Sequence, residues 1–463
     1  MRYFCDLTGK RTIFALSAAA VGLLFCLTSC FTLREADVPP APAVSVPETA
    51  ETVPDVPAPE HDFRPPEEKT EEAEPVVYPE YERTIPAEAM EWIGWYEDTY
   101  GKGRADSVLL NRMEINNLNR KMRDNTPNMR DMSALPATMS GKEVLDLIHR
   151  YELPADERYV DGHTLITDDI RGEIQRNRAL DMVPENVDVR RGVVTERCNL
   201  KGFPTDKTFH KPGDPHYDGI QETELIASFP AAVLHTSADG KFVFVLSYFY
   251  SGWVPAKNIA FCTDEEYRLF AAPEDYVTIL SKTADCAGVR YDMGAVLPYV
   301  TEDAETYTVC VPKRSDDTGK MYLEEAVVSK ADAVRGSLDF TMENYYRQAF
   351  LYLGTYYGWG GSSGGVDCSG FVCAVFRTFG IYLPRNTGEQ SRHAGTILSL
   401  KDNPSGVLDT VRKPAAVYRP GHVMLYLGKK NGTHYIIHAP QGGEQVCVAE
   451  LSMANLTGVS VFG

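Results

Sequence analysis

The sequence predicts a multi-domain chain with a helical N-terminal segment, two all-β barrels of short strands and a C-terminal α+β domain. Three patterns lead to this prediction. Apolar residues recur at helical spacing before residue 187, and short strand-like runs fill residues 187–335. The remaining residues combine a helix with a β-hairpin. A chain of 463 residues is also too long for one hydrophobic core.

Residues 1–30 resemble a bacterial lipoprotein signal peptide. Basic residues precede the apolar residues 13–27, a stretch that is short for a membrane span of about 20 residues. The run Leu-Thr-Ser-Cys that ends at Cys30 fits the lipoprotein cleavage box. This resemblance implies cleavage before Cys30 and lipid attachment to it. The alternative is an ordinary signal peptide with an incidental cysteine.

A lipid on Cys30 would place the protein in the cell envelope and anchor it to a membrane. Phe31 follows Cys30 where an aspartate would favour the inner membrane. We therefore expect the outer membrane, facing the periplasm, in a Gram-negative cell. In other bacteria we expect the outer face of the cell membrane.

Residues 31–83 are predicted to be a disordered tether, because proline and acidic residues dominate them and apolar periodicity is absent. The formal net charge of the whole chain is −19. Such acidity argues against a nucleic-acid partner.

Residues 84–186 are predicted to be mostly helical. Trp92, Ile93 and Tyr96 begin one amphipathic stretch, and Ser140 with Glu143 forms a capping-box signature before another. No chemistry is visible in this segment, which resembles a stabilising segment found at the N-terminus of related multi-domain proteins.

Residues 187–262 and 263–335 are each predicted to form a β-barrel. The first segment ends in Gly-Trp-Val at residues 252–254, and its dense strands resemble a bacterial SH3-like barrel. The second segment is a weaker copy that lacks tryptophan.

The C-terminal domain, residues 336–463, contains a cysteine between a glycine-rich loop and a helix. Phe371, Val375 and Phe379 recur at helical spacing, which predicts a helix that begins at Cys368. The free N–H groups and the positive dipole end at a helix start favour thiolate over thiol. The sequence therefore predicts that Cys368 is a nucleophile.

A nucleophilic cysteine needs a base, and the base needs a group that orients it. His422 and His438 lie on two predicted strands that a turn at Asn431-Gly432 joins. A two-residue loop puts the two histidines on opposite faces of the hairpin. We therefore expect an odd-length loop, which makes them diagonal neighbours on one face.

Five motifs follow one another over this domain: Tyr-x-Trp-Gly-Gly, Asp-Cys-Ser-Gly-Phe, Leu-Pro-Arg, Gly-His-Val and hydrophobic-His-Ala. They occupy residues 357–361, 367–371, 383–385, 421–423 and 437–439. The series resembles the NlpC-type cell-wall cysteine peptidases, a papain-like family.

The resemblance implies a role for each matching residue. Cys368 is the expected nucleophile, His422 the base and His438 its orienter. The substrate-binding residues are expected among those flanking them, namely Tyr357, Trp359, Asp367, Ser369, Arg385 and Asn386. Asn386 departs from the family, where an aspartate or serine is common, and this weakens a role for charge there.

The resemblance further implies hydrolysis of peptidoglycan stem peptides or murein fragments, without metal or cofactor. The expected bond joins γ-D-glutamate to a diamino acid in peptides with a free L-alanine end. Two alternatives stay open: an inactive wall-binding scaffold, and an amidase or acyltransferase on the same fold.

In related multi-domain proteins the first barrel walls off one side of the cleft. The sequence offers four residues for this wall that are equally suited to barrel core and rim: Glu222, Glu224, Tyr248 and Tyr250.

Three further expectations concern individual histidine and cysteine residues. His434 is interpreted as a solvated surface residue, and Cys373 as a core residue. A disulfide between Cys198 and Cys262 is possible in an oxidising compartment.

Overall fold

The computed structural model describes residues 86–160, 162–442 and 444–463. The predicted signal peptide with Cys30, and the predicted tether, lie outside these residues. Within the described ranges, no helix is both long enough and apolar enough to cross a membrane.

The first described segment is helical with a few short strands. Its elements are α1 (Ala87–Tyr100), α2 (Arg112–Asn125), β1 (Thr138–Ser140), α3 (Gly141–His149), β2 (Tyr159–Val160), β3 (Thr164–Leu165) and α4 (Asp168–Asn177). The predicted capping box is confirmed at the start of α3, where the Ser140 hydroxyl accepts from the Glu143 backbone N–H.

The next segment is built from antiparallel strands. They are β4 (Asn186–Asp188), β5 (Arg190–Val194), β6 (Cys198–Lys201), β7 (His210–Lys211), β8 (Asp214–Asp218), β9 (Gln221–Leu225), β10 (Pro230–Thr236), β11 (Phe242–Leu246), β12 (Ser251–Pro255) and β13 (Ile259–Phe261). Seven of them form one sheet in the order β13-β5-β10-β11-β12-β6-β9.

A second β segment follows after helix α5 (Asp264–Ala271). Its strands are β14 (Tyr276–Ile279), β15 (Thr283–Cys286), β16 (Val289–Asp292), β17 (Val296–Glu302), β18 (Thr306–Arg314), β19 (Met321–Ser329) and β20 (Ala333–Arg335). Five strands pair in the order β19-β18-β17-β14-β20. Apolar side chains of both β segments pack into one continuous cluster, so the two segments support each other.

The C-terminal domain packs helices on a six-stranded antiparallel sheet with the order β21-β26-β22-β23-β24-β25. Its helices are α6 (Met342–Phe350), α7 (Cys368–Arg377), α8 (Thr387–His393) and α9 (Pro404–Leu408). Its strands are β21 (Thr396–Ser399), β22 (Ala415–Arg419), β23 (His422–Lys430), β24 (Thr433–His438), β25 (Cys447–Glu450) and β26 (Gly458–Val461).

The loop between β23 and β24 differs from the prediction. Lys430 pairs with Thr433, so the loop has the two residues Asn431 and Gly432, both at positive φ. The prediction of an odd-length loop is therefore wrong. The register nevertheless shifts by one residue between Tyr426 and Gly428, because Leu427 is an extra, bulged residue in β23.

With a two-residue loop alone, His422 and His438 would lie on opposite faces of the hairpin, and the extra residue at the bulge returns them to one face. Beyond it Leu425 pairs with Ile437, which places His422 and His438 on the same face as diagonal neighbours. The bulge, and not the length of the loop, therefore brings the two histidines onto one face of the hairpin.

Side chains from two helices hold this bulge. The Tyr346 hydroxyl donates to the Leu427 carbonyl at 2.8 Å, and the Tyr345 hydroxyl donates to the Tyr426 carbonyl at 3.1 Å. Trp95 of α1 packs over Gly428, where an added Cβ would lie 2.3 Å from a ring carbon of the tryptophan. The predicted stabilising segment therefore contacts the strand that carries His422.

We expect Tyr346→Phe to lower the free energy of unfolding by about 1–3 kcal/mol, because it leaves the buried Leu427 carbonyl without its partner. The measurement is a urea unfolding curve. Tyr322→Phe is the matched control, since Tyr322 is half exposed on β19, and it should leave the curve unchanged. Equal midpoints for all three proteins would contradict the role of Tyr346.

Candidate active site

Cys368 is the first residue of α7, as predicted. Asp367 is the N-cap, and its carboxylate accepts from the Gly370 backbone N–H at 2.7 Å. The Cys368 thiol is buried, with 5% of the residue exposed, and its Sγ lies 3.7 Å from the Thr387 hydroxyl. The Val423 backbone N–H donates towards the same sulfur. Because Val423 follows His422 directly, the start of β23 lies against the thiol.

The ionisation of Cys368 differs from the expectation of a favoured thiolate. Burial raises the pKa of the thiol above its ordinary value, and the negative charge of Asp367 raises it further. The hydrogen bonds from Val423 and Thr387 oppose this shift but do not reverse it. The neutral thiol is therefore the resting form, and a base is needed to activate it.

His422 and His438 meet directly. His422 Nε2 lies 2.8 Å from His438 Nδ1, and the ring planes are 71° apart. In the described part of the chain, the buried His422 Nδ1 has no hydrogen-bond partner. That nitrogen is therefore free to accept a proton.

Both imidazoles are neutral at pH 7. Burial lowers the pKa of His422 to about 4, and the positive charge of Arg419 contributes. Burial and the neighbouring His422 lower the pKa of His438 to about 3. A neutral imidazole can act as a general base towards a neutral thiol.

Tyr357 and Trp359 lie on the glycine-rich loop ahead of α7. Within the described residues the buried Tyr357 hydroxyl has no hydrogen-bond partner. Its pKa is raised by burial and by the neighbouring groups Asp367 and Cys368. Trp359 instead contacts the β segment: its indole N–H donates to the Gln221 carbonyl at 3.0 Å, and its ring packs on Tyr217.

Asp367, Ser369 and Arg385 form a buried cluster. Arg385 donates to both oxygens of Asp367, at 3.0 and 2.6 Å, and to the Ser369 hydroxyl at 2.9 Å. Its Nε donates to the Thr223 hydroxyl of β9 at 2.7 Å. Arg385 thus links the N-cap of the cysteine helix to the first β segment. The predicted contacts of these three residues with substrate stay a prediction.

The first β segment also presents polar groups next to Asn386. The Tyr250 hydroxyl donates to the Glu222 carboxylate at 2.6 Å, and the Asn386 side chain is within hydrogen-bond reach of the same hydroxyl. Burial raises the pKa of Glu222. Of the four predicted wall residues, Glu222 and Tyr250 therefore lie beside Asn386.

The other two predicted wall residues have different neighbours. Glu224 lies 3.8 Å from Arg385 and 3.7 Å from Arg197. Tyr248 packs against Tyr382.

The prediction for His434 is wrong. Only 3% of the residue is exposed, its Nδ1 lies 2.7 Å from the Tyr426 hydroxyl, and its Nε2 lies 3.3 Å from the Ser405 hydroxyl. The segment of α9 covers it, which the alternation of β24 does not reveal.

Two other sequence expectations concern cysteines outside the candidate catalytic residues. Cys373 is buried, as expected of a core residue, and contacts the Gln390 side chain. Cys198 and Cys262 are both free thiols, so the possible disulfide is not formed. Two residues near the site have no sequence motif that marks them, namely Thr387 and Cys447.

The chain matches two family models. Residues 354–458 match the NlpC/P60 family, and residues 207–255 match the SH3 domain of the SH3b1 type. The first match contains Cys368, His422 and His438, and the second contains Glu222 and Tyr250.

Two relatives carry the name γ-D-glutamyl-L-lysine dipeptidyl-peptidase. The one from Bacillus cereus is 26% identical over 44% of this chain and 60% of its own length. The one from Bacillus subtilis is 33% identical over 28% of this chain and 42% of its own length. The chain therefore spans about half the length of these curated relatives.

A solved NlpC/P60 endopeptidase from Photobacterium damselae subsp. piscicida has a similar fold. It superposes with a TM-score of 0.66 over 79% of this chain and 96% of its own, at 19% sequence identity.

We expect the alkylation rate of Cys368 by iodoacetamide to rise steadily through neutral into alkaline pH, because the pKa of the thiol is raised and thiolate is the reacting form. Peptide mass spectrometry would measure the rate at Cys368 itself. A rate that is already constant from pH 5 upwards would indicate a thiolate–imidazolium pair and contradict this result.

We expect Arg385→Met to lower the free energy of unfolding by about 3–5 kcal/mol, because it leaves the Asp367 charge buried without a partner. Arg385→Lys keeps the charge but not the two parallel hydrogen bonds, so its loss should be smaller. In the double variant Asp367→Asn with Arg385→Met, part of the stability should return. Strictly additive losses in the double variant would contradict the pairing.

Proposed function

Since this chain carries an NlpC/P60 domain and an SH3b domain, we propose that it is a cysteine peptidase that hydrolyses peptidoglycan stem peptides. The observation that carries the proposal is the buried Cys368 thiol at the start of α7, against the start of β23, together with the hydrogen-bonded pair of His422, the first residue of β23, and His438. The whole-chain activity is inferred from this site together with the two named relatives.

The proposed reaction is acyl transfer. The Cys368 S–H proton passes to His422 Nδ1, and the sulfur attacks the amide carbonyl carbon. The C–N bond then breaks as His422 returns the proton to the leaving amine. Water hydrolyses the resulting thioester, which restores the thiol and releases the new carboxylate.

Two donors are placed to stabilise the oxyanion. The Cys368 backbone N–H lies at the first position of α7, where the helix itself has no acceptor for it. The Tyr357 hydroxyl is the second, because it is buried near Cys368 and unpaired among the described residues. A single donor of this kind is worth about 3–4 kcal/mol in the transition state.

The proposed scissile bond joins γ-D-glutamate to a diamino acid, as in the names of the two relatives. Glu222 and Tyr250 are proposed to receive the free L-alanine amine. The pKa of Glu222 is raised by burial, and an ammonium group would compensate that burial. Asn386 adds an amide there instead of a second carboxylate, so Glu222 supplies the main charge for recognition.

The organisation of the chain belongs to the same proposal. We propose that residues 187–262 and 263–335 are SH3-like barrels, that residues 31–83 are a tether, and that a lipid on Cys30 anchors the protein in the cell envelope. Metabolic labelling with a fatty-acid analogue, comparing the wild-type protein with Cys30→Ala, tests the anchor.

We expect the purified protein to release the diamino acid from L-Ala-γ-D-Glu-diamino-acid tripeptide, as detected by mass spectrometry. Cys368→Ala removes the nucleophile and should abolish release. Acetylation of the alanine amine should lower kcat/KM strongly for the wild-type protein. Glu222→Gln should lose most of this discrimination, because it removes the charge that binds the amine.

Other outcomes of this assay would contradict the proposal in separate ways. Cleavage of acetylated and free peptides at equal rates would refute the role of the amine. Absence of cleavage, with Cys368 still alkylated readily, would favour an amidase or acyltransferase with another substrate. Absence of cleavage with an unreactive thiol would favour a wall-binding scaffold.

A further inference from the structure

Cys447 lies next to the histidine pair, on the side of His438. It is the first residue of β25 and is the direct cross-strand partner of His438. Its Sγ lies 3.9 Å from His438 Nε2, and only 4% of the residue is exposed. The sheet therefore fixes the thiol against the one ring nitrogen of His438 that does not face His422.

The hydrogen-bond partners of the two histidines determine which of their ring nitrogens carry protons. His422 Nδ1 has no partner among the described residues and must keep its lone pair free for the proton of Cys368. The ring proton of His422 is then on Nε2 and is donated to His438 Nδ1, 2.8 Å away. His438 Nδ1 is thereby an acceptor, so the proton of His438 lies on Nε2 and points towards Cys447.

The opposite proton arrangement is unproductive. If His438 carries its proton on Nδ1, it donates to His422 Nε2, and the proton of His422 moves to Nδ1. That nitrogen then has no lone pair for the thiol, and Cys368 is not activated. The balance between the two arrangements depends on which group faces His438 Nε2.

We propose that Cys447 is a positioning residue that accepts a hydrogen bond from His438 Nε2–H and so holds the histidine pair in its productive proton arrangement. This inference deepens the proposed function, on which its kinetic part rests. Cys447 acts through His438 and His422 and takes no part in bond making. A sulfur acceptor is weak, but His438 is partly buried and Cys447 Sγ is the acceptor that β25 places within reach of Nε2–H.

The test compares three variants of the full chain. Cys447→Ala removes the acceptor, and Cys447→Ser replaces it with a hydroxyl. Cys373→Ala is the matched control, because Cys373 is a buried cysteine of the same domain whose thiol contacts the Pro384 carbonyl and the Gln390 side chain instead of a histidine. All three are assayed with the tripeptide and labelled with ¹⁵N-histidine for NMR.

We expect Cys447→Ala to lower kcat about tenfold with little change in KM, and Cys447→Ser to restore most of the loss. The ¹⁵N shifts should show His438 protonated on Nε2 in the wild-type protein and a mixture of tautomers in Cys447→Ala. Cys373→Ala should leave both kcat and tautomers unchanged, even if it lowers stability.

Two results would overturn the inference. One is an unchanged His438 tautomer in Cys447→Ala. The other is an equal loss of kcat in Cys447→Ala and Cys373→Ala, which would indicate a general packing effect. If the wild-type protein does not cleave the tripeptide, the proposed function fails, yet the NMR comparison still decides the role of Cys447.

Discussion

The bulge at Leu427 is the constraint on which the candidate active site depends. A two-residue turn joins β23 and β24, and without an extra residue this turn would send His422 and His438 to opposite faces of the sheet. Because side chains alternate along a strand, a single inserted residue exchanges the faces for everything beyond it. The hydrogen bond between the two imidazoles exists because of that insertion.

The rest of the chain can be understood as support for this local geometry. The α6 tyrosines satisfy the carbonyls at the bulge, and α1 covers Gly428 with an indole ring. On the other side of the site, Arg385 joins the N-cap of the cysteine helix to β9. The N-terminal helices and the first β segment therefore act on the two halves of the site separately. Each half of the site is thus contacted by residues from outside the C-terminal domain.

Local sequence patterns predicted the elements that depend on neighbouring residues. The start of α7 at Cys368 and the capping box of α3 both follow from spacing within one or two turns. Longer-range features could not be predicted in this way. The bulge depends on Tyr346 and Trp95, which are distant in sequence, and the burial of His434 depends on the segment around Ser405. The raised pKa of Cys368 likewise depends on burial that no local pattern encodes.

The central claim is that Cys368 carries the acyl group during turnover. Rapid acid quench of the protein with the tripeptide, followed by peptide mass spectrometry, tests it most directly. The account predicts a thioester of L-Ala-γ-D-Glu on Cys368 in the wild-type protein and no adduct in Cys368→Ala. Release of the diamino acid by Cys368→Ala at the wild-type rate, or an acyl group found on a different residue, would contradict it.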